Sequence, residues 1–142
     1  MNGECLCGAV TFEIDGALPN LYQCHCSLCR KVTGSTANAA TFVDQGHFHW
    51  VTGQDNITSF QKATGYRSDF CRTCGSPVPN PLRSTNLVWV PAGLLAGDVE
   101  SSVAVHLHVD SSARWARDMK SCTRYEAGPD SLDSLNQALQ WT

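Results

Sequence analysis

From residue 9 the chain reads AVTFEID, in which Val10, Phe12 and Ile14 alternate with Thr11, Glu13 and Asp15 before Gly16. A period of two places three apolar side chains on one face, the pattern of a strand with one buried side. Similar runs recur as ATFV at 40–43, HFHWV at 47–51, ITSF at 57–60, YRSDF at 66–70, NLVWV at 86–90 and VAVHLHV at 103–109. Most are bounded by Gly, Pro, Asn or Asp, which supply turn geometries a strand cannot continue through. Helical spacing is sparse. A short turn is expected at LCRKV, residues 28–32, and the tail PDSLDSLNQALQW aligns Leu132, Leu135 and Leu139 after an Asp130 or Ser131 cap. The pattern predicts a mostly β, antiparallel domain closed by a docked helix over about 130–141.

Composition narrows the reading further. The 142 residues are expected to form a single domain, 1–142, with 42% apolar and 16% charged residues, a globular balance. A formal charge of −3, with basic residues scattered and no run longer than Arg30-Lys31, argues against a nucleic-acid partner. The longest apolar stretch, LVWVPAGLLAG from Leu87, is interrupted by Pro91 and falls short of the ~20 residues of a membrane-spanning helix. No membrane partner is expected. A cysteine at position 5 leaves no room for a secretory signal before it, which predicts a cytoplasmic protein.

Eight cysteines in such a chain favour metal ligation over disulfides, because the cytosol keeps thiols reduced. They fall into Cys5-Leu6-Cys7, the trio Cys24, Cys26 and Cys29, the CxxC pair Cys71 and Cys74, and Cys122 alone. Tetrahedral zinc with Zn–S bonds of ~2.3 Å requires sulfurs about 3.8 Å apart. Each CxC must therefore bend, which Gly8 permits beside the first, and Gly75 can take positive φ just after CRTC. A structural zinc takes four protein ligands, whereas a catalytic zinc keeps one position open. Cys5, Cys7, Cys71 and Cys74 make a closed set of four and leave Cys24, Cys26 and Cys29 as an open set of three. Spacing alone also allows Cys5, Cys7, Cys24 and Cys26 closed with Cys29, Cys71 and Cys74 open. A further competitor closes the trio with Cys122 or a histidine.

The order CLCGAVTFE, CHCSLCRKVTG, FCRTCGSPV, NLVWVPAGLL and HLHVDSSARWA, over about residues 3–117, resembles the glutathione-dependent formaldehyde-activating enzyme family, which includes the centromere-protein-V-type zinc-binding domain. The resemblance implies an Mss4-like β-tent of folded antiparallel sheets stapled by zinc, with two Zn²⁺ per chain. Carried over by position, it implies that Cys5, Cys7, Cys71 and Cys74 hold a structural zinc, and Cys24, Cys26 and Cys29 a catalytic one. The implied activity is a carbon–sulfur lyase that joins glutathione to formaldehyde as S-(hydroxymethyl)glutathione, with glutathione or another small thiol as partner. A non-catalytic zinc-binding interaction module is the alternative.

The chemistry of three thiolates fits a thiol substrate. Their charge weakens the metal as a Lewis acid toward water, so the site suits holding a substrate sulfur as the nucleophilic thiolate. Arg30 and Lys31 follow the trio directly and are candidates for holding a charged thiol, against the plainer reading of a solvated helix face. His25, between two ligands, is read as exposed or supporting a ligand, with proton transfer as the sharper option. His47 with His49 and His106 with His108 have HxH spacing, read as the polar faces of half-buried strands. Trp50, Trp89, Trp115 and Trp141 are expected mainly in the core, and Cys122 as a small buried hydrophobe.

Overall fold

The computed structural model describes residues 1–117 and 122–139. Eleven strands and two α-helices run in the order β1 (Asn2–Glu4), β2 (Thr11–Ile14), β3 (Leu21–Cys24), α1 (Ser27–Thr33), β4 (Asn38–Asp44), β5 (Phe48–Thr52), β6 (Ile57–Gln61), β7 (Arg67–Cys71), β8 (Pro77–Val78), β9 (Asn80–Pro81), β10 (Leu87–Pro91), β11 (Val103–Leu107) and α2 (Leu132–Ala138). They build three sheets: β1-β2-β5, β11-β3-β4-β10-β9 and β6-β7-β8. Every run with alternating or β-branched character is a strand. The strands without such a signal are β1, β3, β8 and β9, which are short, and β8 and β9 each contain a proline. Pairing is antiparallel with one departure: β11 lies parallel to β3. Parallel neighbours need a long crossover, and the chain from β4 to β10 provides it.

The period-two reading of the first strand holds in three dimensions. Phe12 and Ile14 are buried with Val43, Val88 and Val90 in one core cluster. Phe12 stacks on Phe48 at 5.4 Å and meets Trp50 edge-on at 6.1 Å, the two geometries aromatic pairs favour. Val10 belongs to a second cluster, with Val78 and the two cysteines Cys5 and Cys71. Part of the core is therefore built on candidate metal ligands.

Register gives the five-stranded sheet two distinct faces. Val88 pairs with Val43 and Val90 with Thr41, and these side chains point to the core. The alternate positions point the other way: Cys24 opposite Asn38, and Trp89 between Phe42 and Asn80. On that second face Tyr22 stacks on Phe42 at 5.2 Å, and the Trp89 indole N–H donates to the Tyr22 hydroxyl at 2.9 Å. This face carries the candidate site.

Several expectations are corrected. The leucine stripe of α2 is docked only in part, since Leu132 and Leu139 are exposed, Leu135 is half-buried and no residue of the helix is fully buried; the Ser131 cap starts a helix of seven residues. Trp115 is 70% exposed, while Trp50 packs on the core and Trp89 is half-buried on the second face; Trp141 lies outside the described residues. Cys122 is exposed. Neither HxH pair sits on one strand, because His47 precedes β5 and His108 follows β11 with a left-handed φ of 55°.

One glycine tests the close approach of the chain at the ends of β2 and β5. Gly53 has φ +73°, and a Cβ there would fall 1.9 Å from the Ala9 carbonyl oxygen, a backbone atom that cannot swing aside. Gly53→Ala is expected to cost about 2–4 kcal/mol, from left-handed strain plus overpacking. Gly34→Ala, with φ +60° and nothing within 4 Å, should cost only the strain, about 1–2 kcal/mol. Urea unfolding of both variants checks the difference; equal costs would mean that the 9–53 contact does not constrain the fold.

Candidate metal centres and the adjoining cavity

The sulfurs of Cys5, Cys7, Cys71 and Cys74 lie within 4.8 Å of one another. Two tight turns bring them there. Gly8 N–H donates to Cys5 C=O at 2.9 Å, and Gly75 N–H to Cys71 C=O at 2.8 Å, each glycine at positive φ as the bend requires. The Leu6 N–H donates to Ser76 Oγ at 3.1 Å and joins the two turns. Sulfur separations of 3.6 Å for Cys5–Cys7 and 3.8 Å for Cys7–Cys71 match tetrahedral zinc with bonds of ~2.3 Å. Around this set, Val10 N–H donates to Cys5 Sγ at 3.3 Å and Asn56 Nδ2 to Cys71 Sγ at 3.4 Å, bonds that stabilise thiolates.

The sulfurs of Cys24, Cys26 and Cys29 form the second set, also within 4.8 Å, with no further His, Cys, Asp or Glu joining them among the described residues. β3 delivers Cys24, and the turn into α1 delivers the other two. Cys26 caps α1, its sulfur accepting the Cys29 N–H at 3.5 Å, and Gly34 ends the helix in the left-handed region. The structure thus groups seven cysteines four and three, and separates the members of the other partition.

Neither set is content without a cation. The Ser76 hydroxyl and N–H hold Cys74 down to about 5, whereas Cys7, despite the Ala9 N–H, is pushed up to about 12 by desolvation and its sulfur neighbours. In the trio, burial opposes ionisation of Cys26, but the Cys29 N–H and the adjacent thiols outweigh it and lower its pKa; burial and those same neighbours push Cys29 up. Close thiolates repel, so only some of each set ionise alone. A divalent ion removes that repulsion, and sulfur donors at this spacing suit zinc.

A cavity of about 350 Å³, within the size range of small-molecule sites, adjoins the elements that carry the trio, and no trio cysteine lines it. Its wall includes Val32 of α1, Asn38 and Trp89 of the sheet's second face, and Tyr66, Arg67 and Arg83. Burial, followed by the negative charges of Cys29, Cys26 and Cys24, pushes Tyr66 up to about 12, so its phenol is neutral and within electrostatic reach of all three sulfurs. Tyr22 is likewise pushed up to about 12, mainly by burial. The two hydroxyls differ in use. Tyr22 accepts from Trp89, whereas Tyr66 has no hydroxyl partner among the described residues. Sequence reading missed Tyr66, Asn38 and Arg83, whose arrival at the site depends on sheet register and turn packing.

The two basic residues that follow the trio lie off this cavity. Arg30 donates through Nε to the His25 carbonyl and through Nη2 to the Ser111 carbonyl, both at 3.2 Å, tying the trio loop to the turn after β11. Lys31 is exposed, and neither residue lines the cavity; Arg67 and Arg83 do. His25 stacks on His106 with ring nitrogens 3.0 Å apart, lining a different cavity with Gln23 and Arg117. His49 pairs with Asp15 at 2.9 Å on the surface. No helix among the described residues is long and apolar enough to cross a membrane.

Comparison with known proteins agrees with this geometry. Residues 1–111 match the family described as glutathione-dependent formaldehyde-activating enzyme. A Halomonas elongata protein provisionally named glutathione-dependent formaldehyde-activating enzyme is 31% identical over 126 residues, covering 81% of this chain and 78% of its own. A crystal structure of a Rhodobacter sphaeroides protein superposes with a TM-score of 0.58 at 30% identity, covering 72% of this chain and 99% of its own. With the match spanning both cysteine sets, the chain belongs to the glutathione-dependent formaldehyde-activating enzyme family.

Proposed function

We propose that the protein is a carbon–sulfur lyase acting on the adduct of a small thiol, with the formation and breakdown of S-(hydroxymethyl)glutathione as its reference reaction. One observation carries the reading: a three-cysteine set with no fourth His, Cys, Asp or Glu donor among the described residues, whose charges reach Tyr66 on the wall of a small-molecule-sized cavity. Family membership and the name of the Halomonas relative support the choice of glutathione and formaldehyde. In this reading the chain takes two zinc ions, a structural one at Cys5, Cys7, Cys71 and Cys74 and a catalytic one at Cys24, Cys26 and Cys29. Zinc at the trio supplies a Lewis acid that favours the thiolate form of a substrate thiol at neutral pH.

The remaining work falls to side chains. The thiol loses its proton to solvent, its sulfur bonds to the aldehyde carbon, and the carbonyl π pair moves to oxygen, which then takes a proton. The neutral Tyr66 phenol faces the same cavity and donates a hydrogen bond to that oxygen as charge develops on it. Arg30 holds the trio loop in place through its two carbonyl contacts. The reverse sequence cleaves the adduct.

Native mass spectrometry of the reduced protein, with and without glutathione, tests the assignment. Two zinc ions and one glutathione per chain are expected. Tyr66→Phe should keep both counts while slowing adduct exchange with formaldehyde about 100-fold, read by exchange NMR. Two zinc ions with no glutathione uptake would favour the non-catalytic zinc-binding module instead.

A further inference from the structure

We propose that Arg83 is the carboxylate anchor of this cavity, so that the site selects thiols carrying a carboxylate over uncharged thiols. The inference rests on the thiol-lyase reading and names the substrate feature that reading leaves open.

Two cations line the cavity, and they differ in what they face. Arg67 is neutralised by the buried Asp69 through a bidentate pair, Nε to Oδ1 at 2.8 Å and Nη2 to Oδ2 at 2.7 Å, and also donates to Ser59. Its charge is used within the fold. Arg83 makes no hydrogen bond or ion pair among the described residues, and its backbone is set by a tight turn. It sits in the turn after β9, where Thr85 N–H donates to Leu82 C=O at 3.2 Å and Ser84 takes a positive φ of 61°. From there its guanidinium lies against the turn between β6 and β7. A Cβ on Gly65 would fall 1.9 Å from Arg83 Nη1, and Gly65 itself has φ +91°. Gly65 is required by its own backbone, while the guanidinium over it is the far end of a flexible side chain.

A guanidinium that lines the cavity with its donors unused is available to fork onto a carboxylate. The cavity also presents the amides of Asn38, Asn80 and Gln61, which can orient a peptide-like body between anchor and sulfur site. Charge balance favours the same occupant. Three cysteine thiolates exceed the charge of one divalent ion, so an arriving thiolate meets a negative centre. A cation in the same cavity offsets that repulsion for a substrate whose carboxylate it holds.

The test is thiol titration of the cobalt-substituted protein followed by absorption, using glutathione, glutathione diethyl ester and 2-mercaptoethanol. Wild-type protein should bind glutathione more tightly than its ester. Arg83→Leu should weaken glutathione about 10- to 100-fold and leave the two thiols that lack a carboxylate within about 2-fold, while Arg83→Lys recovers part of the loss. Arg83 is exposed, and thermal melts of the variants verify that they fold. Unchanged glutathione affinity in Arg83→Leu, or equal weakening of all three thiols, overturns the anchor while leaving the thiol site standing. A wild-type spectrum that answers to none of the thiols overturns both.

Discussion

Cys71→Ser is expected to leave the protein unfolded or aggregated. Cys71 is completely buried, and with Cys5, Val10 and Val78 it forms a core cluster in its own right. Its sulfur lies 3.8 Å from Cys7 Sγ, so the quartet ties the first turn of the chain to β7 across 64 positions of sequence. A metal held there stabilises the fold by of order 10 kcal/mol in small zinc domains. A domain of this size has only about 5–15 kcal/mol of total stability, so losing the site removes most of it. Serine also replaces a thiolate with a hydroxyl that is a poor zinc ligand and must be buried. Asn56 Nδ2, which donates to this sulfur, keeps its bond to Thr73 Oγ1 and cannot rescue the site. Circular-dichroism melts with zinc counting check this. A variant that melts within a few degrees of wild type would show that the quartet is dispensable for folding.

The parts of this outcome that were legible in sequence are local ones. Val10, Phe12 and Ile14 announce a buried face because strand geometry alone fixes their side. CLCG and CRTCG announce metal turns because a tight bend closed by a glycine at positive φ brings their sulfurs together. Other features depend on partners far away in sequence. β3, LYQC, has no alternation of its own and becomes a strand because β4 and β11 flank it. Arg30 reads as a substrate cation from its place beside Cys29, and its bond to the Ser111 carbonyl depends on a turn far away in sequence. Arg83 and Tyr66 carry no motif and reach the cavity only through two turns that pack together. Trp115, Cys122 and the leucines of α2 look like core by residue type, yet the chain beyond β11 offers them little surface to pack against. Apolar character gives a preference for burial; topology decides whether a place exists.

Cys26→Ser is expected to separate chemistry from folding. Cys26 is partly exposed and contributes to neither core cluster, unlike Cys71. Its structural task is to cap α1 by accepting the Cys29 N–H, a position where a serine hydroxyl is among the preferred acceptors. The substitution therefore preserves the cap, and its cost should stay below about 1 kcal/mol, a shift of a few degrees in melting temperature. The trio itself cannot tolerate it, because two remaining thiolates and a hydroxyl hold zinc far more weakly than three thiolates. Native mass spectrometry should read one zinc per chain in place of two, with glutathione uptake lost. The rate of adduct formation should fall about 10³-fold, since the missing site held the nucleophile and the change acts on the transition state. The comparison with Cys71→Ser is the decisive part. If both variants collapse alike, each set is structural and the trio has no free coordination position to offer. If Cys26→Ser keeps its fold, both zinc ions and its rate, the reaction belongs elsewhere on the chain.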